Sequence, residues 1–253
     1  MKALIVSTVL CSALLAQAPP AKAPPAKAPA AKSTAPKAAV KKAAPATGAA
    51  LLNPASLHAI APPVYKAQFT TTKGDFVVEV HRDWAPVGAD RFYNLVRAGF
   101  FTDAAFFRVV AGFMVQFGIS SNPKVSAAWA NANIKDDAVK QSNTRGRITY
   151  AMTGLPNSRG TQLFINFKNN SFLDPMRFAP FGEVVEGMEV VDQLYSGYGD
   201  MAEMGGRGPS PEKIEKEGGV YLTASFPQLD RIKSAKILPA APAAPATPAP
   251  EKK

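Results

Sequence analysis

Residues 106–119 read FFRVVAGFMVQFGI, two apolar runs around Ala111-Gly112 that each carry one polar side chain, Arg108 and Gln116. A charge or amide in such a run needs a partner, because burying it alone is costly. A further glutamine, Gln162, stands in TQLFIN at 161–166. In a strand, side chains i and i+2 share a face. Met114 therefore shares a face with Gln116, and Gln162 with Phe164. If those faces meet on one side of a sheet, they form an apolar pocket rimmed by hydrogen-bonding groups, which suits a small apolar ligand group. The same pattern fits plain core, with Arg108 snorkelling or paired to an acid. Pattern alone leaves both readings open.

Other chemistry has little material. His58 and His81 are the only histidines and have no Cys or His partner at ligand spacing, so no metal site is expected. Asp136-Asp137 reads as a solvated turn, and GGRGPS at 205–210, lacking the Lys-Ser/Thr of a phosphate loop, as a flexible one. There is no nucleophile-elbow pattern. No cofactor is called for.

The elements that must hold these residues follow from periodicity and turns. Gln68–Thr72 and Phe76–Val80 read as a hairpin around Lys73-Gly74-Asp75. A helix of about three turns should start near Pro86, with Phe92, Leu95 and Val96 on its apolar face and Gly99 as the C-cap candidate. Two strands follow, broken at Ala111-Gly112, then a polar stretch with a loop at Ser120–Lys124. Further strands are expected at Ile148–Met152, Gln162–Asn166, Phe181–Val185 and Ala235–Leu238, with a helix at 187–195 and a short helical stretch at Pro211–Phe226. Many strands with two well-separated helices indicate a mainly β, closed, mostly antiparallel barrel.

Both ends of the chain differ from this middle. Residues 19–50 are almost entirely Ala, Pro and Lys, and 239–253 read PAAPAAPATPAPEKK. Such segments bury too little to offset the entropy of ordering, so 19–62 is expected as a disordered linker and 239–253 as a disordered tail. The folded domain should span 63–238. The net charge of +10 belongs to the ends: residues 1–74 hold nine Lys and no acid, whereas 75–238 balance 18 basic against 18 acidic side chains. Residues 19–50 could give weak contact with anionic surfaces, and no specific nucleic-acid partner is indicated. MKALIVSTVLCSALLAQA at 1–18 has the pattern of a signal peptide, which implies export to a periplasm or cell envelope. Cleavage after Ala18 would leave Pro19 first, an awkward position, so cleavage after Ala16 or retention as an anchor stays open. Cys11, the only cysteine, lies inside this segment.

FFRVVAGFMVQFG resembles the central cyclophilin signature, Phe-His-Arg followed by two hydrophobics and Gly-Phe-Met-x-Gln-Gly-Gly. PNSRGTQLFINF (156–167) resembles the second, and FLDPMRFAPFGEVVEGMEVVDQL the third. Order and spacing agree over about Gln68 to Leu238. The resemblance implies an eight-stranded antiparallel barrel capped by two α-helices, and peptidyl-prolyl cis-trans isomerase activity on proline-containing polypeptide clients by a monomer that assists folding. It makes Arg108 the catalytic arginine. Phe113, Met114, Phe164 and Leu173 would line the proline pocket, and Gln116 and Gln162 would bond the substrate backbone. Met152 and Thr153 fall where the family docks an extended peptide. Phe172 stands where cyclosporin-binding members carry Trp, which implies weakened drug binding. The departures are Phe107 for His, Phe117 for Gly, an extra residue in MRFAPFG that leaves Arg177 or Phe178 at the family's His, and the long segment 196–234. A peptide-binding chaperone or scaffold module that needs no turnover is the alternative.

Overall fold

The structure is a computed structural model that describes residues 48–239. The expected signal segment 1–18, most of the linker and nearly all of the tail lie outside the described residues. Everything below belongs to the unit Ala43–Lys253.

Eight antiparallel strands form one sheet: β1 (Val64–Thr71), β2 (Asp75–His81), β3 (Arg108–Val110), β4 (Met114–Phe117), β5 (Arg147–Tyr150), β6 (Leu163–Asn166), β7 (Gly182–Glu186) and β8 (Ile232–Ile237). Their spatial order is β3-β4-β6-β5-β7-β2-β1-β8. The sheet curls, but the ladder does not close as the sequence reading expects. The edge strands β3 and β8 meet through the isolated bridge Ala105–Arg231 and a few backbone bonds, such as Phe106 N–H to the Asp230 carbonyl at 3.0 Å. β3 is three residues long, so a full seam has too few partners. The result is a curled half-barrel.

Alternation sets what each strand gives to the interior. Phe69, Val78, Val80, Val115, Phe117, Ile148, Tyr150, Leu163 and Ile165 are all fully buried in one core. Helix α1 (Pro86–Arg97) begins with Pro at its first position and packs Ala89, Phe92, Leu95 and Val96 into the same core. Three more α-helices occur among the described residues: α2 (Pro123–Trp129), α3 (Met188–Asp192) and α4 (Pro211–Ser225), the last broken by non-helical backbone at Gly218. The described residues therefore hold more helices than the two expected. α2 replaces part of the expected loop. Its N-cap Asn122 accepts from the Lys124 N–H at 3.0 Å, and Val125 and Trp129 bury the face that i, i+4 spacing aligns.

Two sequence readings are corrected here. Residues 48–62, expected as linker, pack on the domain: the Trp129 indole N–H donates to the Leu51 carbonyl at 2.8 Å, and the Ala61 N–H donates to Asp90 at 2.9 Å. Leu51 and Leu57 supply apolar contacts with the core. Asp137 is no solvated turn. It is buried, accepts from the N–H groups of Val87 and Gly88 at the start of α1, and pairs with the fully buried Arg159 at 3.0 Å.

Candidate active site

The residues singled out in the sequence meet on the outer face of β3, β4 and β6. Register explains why. Arg108 lies opposite Gln116, and Gln116 opposite Phe164; Val110 lies opposite Met114. With alternation, Arg108, Val110, Met114, Gln116 and Phe164 share one face, while Val109, Val115, Phe117, Leu163 and Ile165 fill the core. Met114, Phe164 and Leu173 form a separate apolar cluster, with Val110, Phe113, Ala151 and Phe178 at its margin. The Phe172 ring is exposed and stacks on Phe113 at 6.0 Å between centroids.

The polar residues form a chain along the same face, beside this cluster. Gln162 accepts from Gln116 Nε2 at 2.9 Å, and Gln116 Oε1 accepts from Arg108 Nη1 at 3.0 Å. Arg108 also grips Asp200: Nε donates to Oδ1 at 2.7 Å and Nη2 to Oδ2 at 3.2 Å. The arginine is thus paired to an acid, on the sheet face that also carries the apolar cluster. Burial pushes the Asp200 carboxyl up, but the bonds from Arg108 and the Met201 N–H, with the charge of Arg108, hold it below the usual carboxylate range. Beyond the glutamines, a cavity of about 250 Å³ is lined by Gln116, Gln162, Met152 and Thr153 together with residues of α2. The sequence-predicted residues on this groove face thus fall into two sets: Gln116, Gln162, Met152 and Thr153 line the cavity, while Phe113, Met114, Phe164 and Leu173 gather in the apolar cluster.

A layer of amides holds the groove's far wall. Asp174, in the 3-10 turn Ser171–Met176, accepts from Ser142 Oγ at 2.6 Å, Asn143 N at 2.9 Å and Asn143 Nδ2 at 2.8 Å. Asn143 Nδ2 also donates to the Phe178 carbonyl at 2.8 Å, and Asn170 Nδ2 to the Phe113 carbonyl at 2.8 Å. These bonds fix Leu173, Phe178 and Phe113 relative to the strands. In MRFAPFG, Phe178 sets its ring edge-on to Phe164 at 5.5 Å, while Arg177 reaches Asp136 at 3.5 Å.

The other departures acquire causes. Phe117 points into the core, with ring centroids 5.3 Å from Phe106, 5.8 Å from Phe101 and 6.0 Å from Phe69. Phe107 joins a second apolar cluster with Ile119, Ile214, Leu222 and Leu229, so it is the seat for the 196–234 segment. Gly118 keeps a positive φ of 101°, and a Cβ there would collide with the Thr161 carbonyl oxygen.

A family model described as cyclophilin type peptidyl-prolyl cis-trans isomerase/CLD matches residues 66–215. The chain belongs to the cyclophilin-type peptidyl-prolyl cis-trans isomerases. Among curated relatives, a peptidyl-prolyl cis-trans isomerase of Acinetobacter baylyi is 36% identical over 145 residues, 55% of this chain and 75% of that one. Peptidyl-prolyl cis-trans isomerase B of Escherichia coli is 36% identical over 134 residues, 50% of this chain and 81% of the relative. In fold, a cyclophilin-type isomerase of Cryptosporidium parvum superposes with a TM-score of 0.52 at 18% identity, covering 70% of this chain and 99% of that one.

Sequence reading missed Asp200, as it missed the Asn143, Asn170 and Asp174 supports. Asp200 lies 92 residues from Arg108, in a loop with no periodicity to place it.

Proposed function

We propose that this cyclophilin rotates Xaa-Pro peptide bonds in extended or unfolded polypeptide segments, with Arg108 as the catalytic group. The observation that carries the reading is a guanidinium held by bonds at two of its edges on the sheet face that carries the Met114–Phe164–Leu173 cluster. An Xaa-Pro bond has a rotation barrier near ~20 kcal/mol and isomerises over tens of seconds or longer. Halfway through the turn amide resonance is lost, and the proline nitrogen becomes pyramidal and gains a lone pair. The proline ring fits the apolar pocket while an Arg108 N–H points at that nitrogen. The donor binds the twisted state better than the planar one, which is the requirement for catalysis. Arginine suits the task because it stays protonated and presents a rigid fork. An acceleration of ~10⁴–10⁵ needs about 5.5–7 kcal/mol. One charge-assisted hydrogen bond in an apolar setting, with fixed orientation, is of that order. Gln116 and Gln162 would hold the substrate backbone, and Met152 and Thr153 the residues before the proline.

A protease-coupled assay with an Xaa-Pro peptide tests this reading. Acceleration well above the spontaneous rate is expected, and a rate at background would overturn it. We further propose export through the 1–18 segment, supported by its short apolar run and small-x-small end; N-terminal sequencing of the protein recovered outside the cytoplasm checks it, and an intact Met1 in a soluble product would count against cleavage.

A further inference from the structure

We propose that Asp200 is the positioning residue for the Arg108 guanidinium, and that the loop 197–208 is the scaffold that presents it. This rests on Arg108 being the catalytic group.

A guanidinium has five N–H groups in a plane. Nε and one Nη2 N–H are taken by Asp200, and one Nη1 N–H by Gln116. That leaves one N–H on each Nη. Bonds at two edges fix both the plane and the azimuth of the group, so the remaining donors have a set direction. Gln116 alone would hold one corner and leave rotation about the last side-chain bond. The two side chains are 15% and 29% exposed, so water competes little for the pair.

The loop is built around the aspartate. Asp200 Oδ1 also accepts from the Met201 N–H at 2.8 Å, which fixes the carboxylate relative to its own backbone. The Asp200 carbonyl accepts from the Gly208 N–H at 2.7 Å, and the Met201 carbonyl from the Gly206 N–H at 2.9 Å. A Cβ at Gly206 would collide with the Asp200 carbonyl, so only glycine lets these strands of the loop approach. At the base, Tyr198 packs edge-on against Tyr195 at 5.1 Å and Phe226 at 5.0 Å. Tyr198 and Met201 then rest on the cluster of Phe107, Ile214 and Leu222. Phe107 immediately precedes Arg108, so the loop is seated beside the strand whose side chain it orients. A segment that otherwise reads as an elongation of the barrel therefore ends in a contact with the reacting group.

The test is steady-state kinetics of the full chain as wild type, Asp200→Ala, Asp200→Asn and Arg108→Ala/Asp200→Ala, with thermal melts of each. Asp200→Ala should lower kcat about tenfold with KM changed by less than about twofold, because the lost orientation matters at the twisted state. Asp200→Asn keeps one acceptor and should lose about threefold. In the Arg108→Ala background, Asp200→Ala should change nothing further, since it acts through the arginine. In ¹⁵N spectra, the Arg108 Nε–H should move on Asp200→Asn. Should Asp200→Ala fail to fold, Asp200→Asn and its spectrum carry the decision. A kcat for Asp200→Ala or Asp200→Asn at or above wild type, a loss confined to KM, or an equal loss in the Arg108→Ala background overturns the proposal. A wild-type rate at background would instead overturn the catalytic reading of Arg108.

Discussion

Phe117→Ala separates the core face of β4 from its groove face. Phe117 is fully buried and meets three other rings, those of Phe69, Phe101 and Phe106. Truncating a buried phenylalanine to alanine costs about 3–5 kcal/mol through lost transfer energy and the cavity left behind. The packed rings around it can collapse little, so the upper half of that range, about 4–5 kcal/mol, is expected. For a domain of this size that lowers Tm by about 8–20 °C. Its neighbours Gln116 and Met114 point the other way, into the groove. At a temperature where both proteins are folded, kcat/KM should therefore stay within about twofold of wild type. Urea unfolding gives the stability change, with an unchanged slope, and the peptide assay gives the activity. A loss below about 1.5 kcal/mol, or a tenfold fall in kcat/KM without loss of stability, would mean that the side chain faces the groove and that the register described for β4 is wrong.

Two further perturbations address the supports of the site. Phe107→His, which restores the family's usual residue, places an imidazole among Ile214, Leu222 and Leu229 and should cost about 2–4 kcal/mol. A buried neutral histidine must charge on acidification, so the deficit should widen as pH falls through about 6.5, and stability curves at pH 8 and 5.5 check it; a neutral effect would mean that the 196–234 segment does not seat on residue 107. Asp174→Asn should cost about 2 kcal/mol at pH 7, since an amide cannot accept from Ser142 and both Asn143 groups at once. Burial pushes the Asp174 carboxyl up, and the Ser142 and Asn143 bonds more than offset it, leaving it below the usual range. Its contribution is therefore full above the unfolded carboxylate value and is lost as pH falls through the depressed folded one. Wild type and Asp174→Asn should converge in acid titrations, and parallel curves would contradict this.

The strands and the groove face were legible because alternation is local: Met114 with Gln116, and Gln162 with Phe164, needed only a period of two. Helix α1 was legible from Pro86 and the spacing of Phe92, Leu95 and Val96. Helix α2 had its signal too, in Asn122-Pro123 and the Val125–Trp129 spacing, but a single turn of apolar periodicity in a polar stretch is easily read as loop. The half-open seam depends on how far β3 extends beside β8, and that is set by tertiary packing. The Asp200–Arg108 pair is the clearest limit. No local pattern links residues 92 apart, and the loop's glycines read as looseness until their backbone contacts show a built turn. The seat of Phe107 was hidden because Ile214 and Leu222 are distant in sequence, and Phe117 read as an unexplained departure because alternation does not show which rings, Phe69, Phe101 and Phe106, it meets in the core.

The central claim is that Arg108 binds the half-rotated bond more tightly than the planar one. The direct measurement is kcat/KM for wild type, Arg108→Lys and Arg108→Ala on one Xaa-Pro peptide, alongside the affinity of each for the same peptide. Arg108→Ala should lose about 10²–10³-fold in kcat/KM, and Arg108→Lys nearly as much because a point charge lacks the fork, while peptide affinity changes by less than about threefold. Equal rates for wild type and Arg108→Ala, or a loss that appears wholly in affinity, would contradict the account.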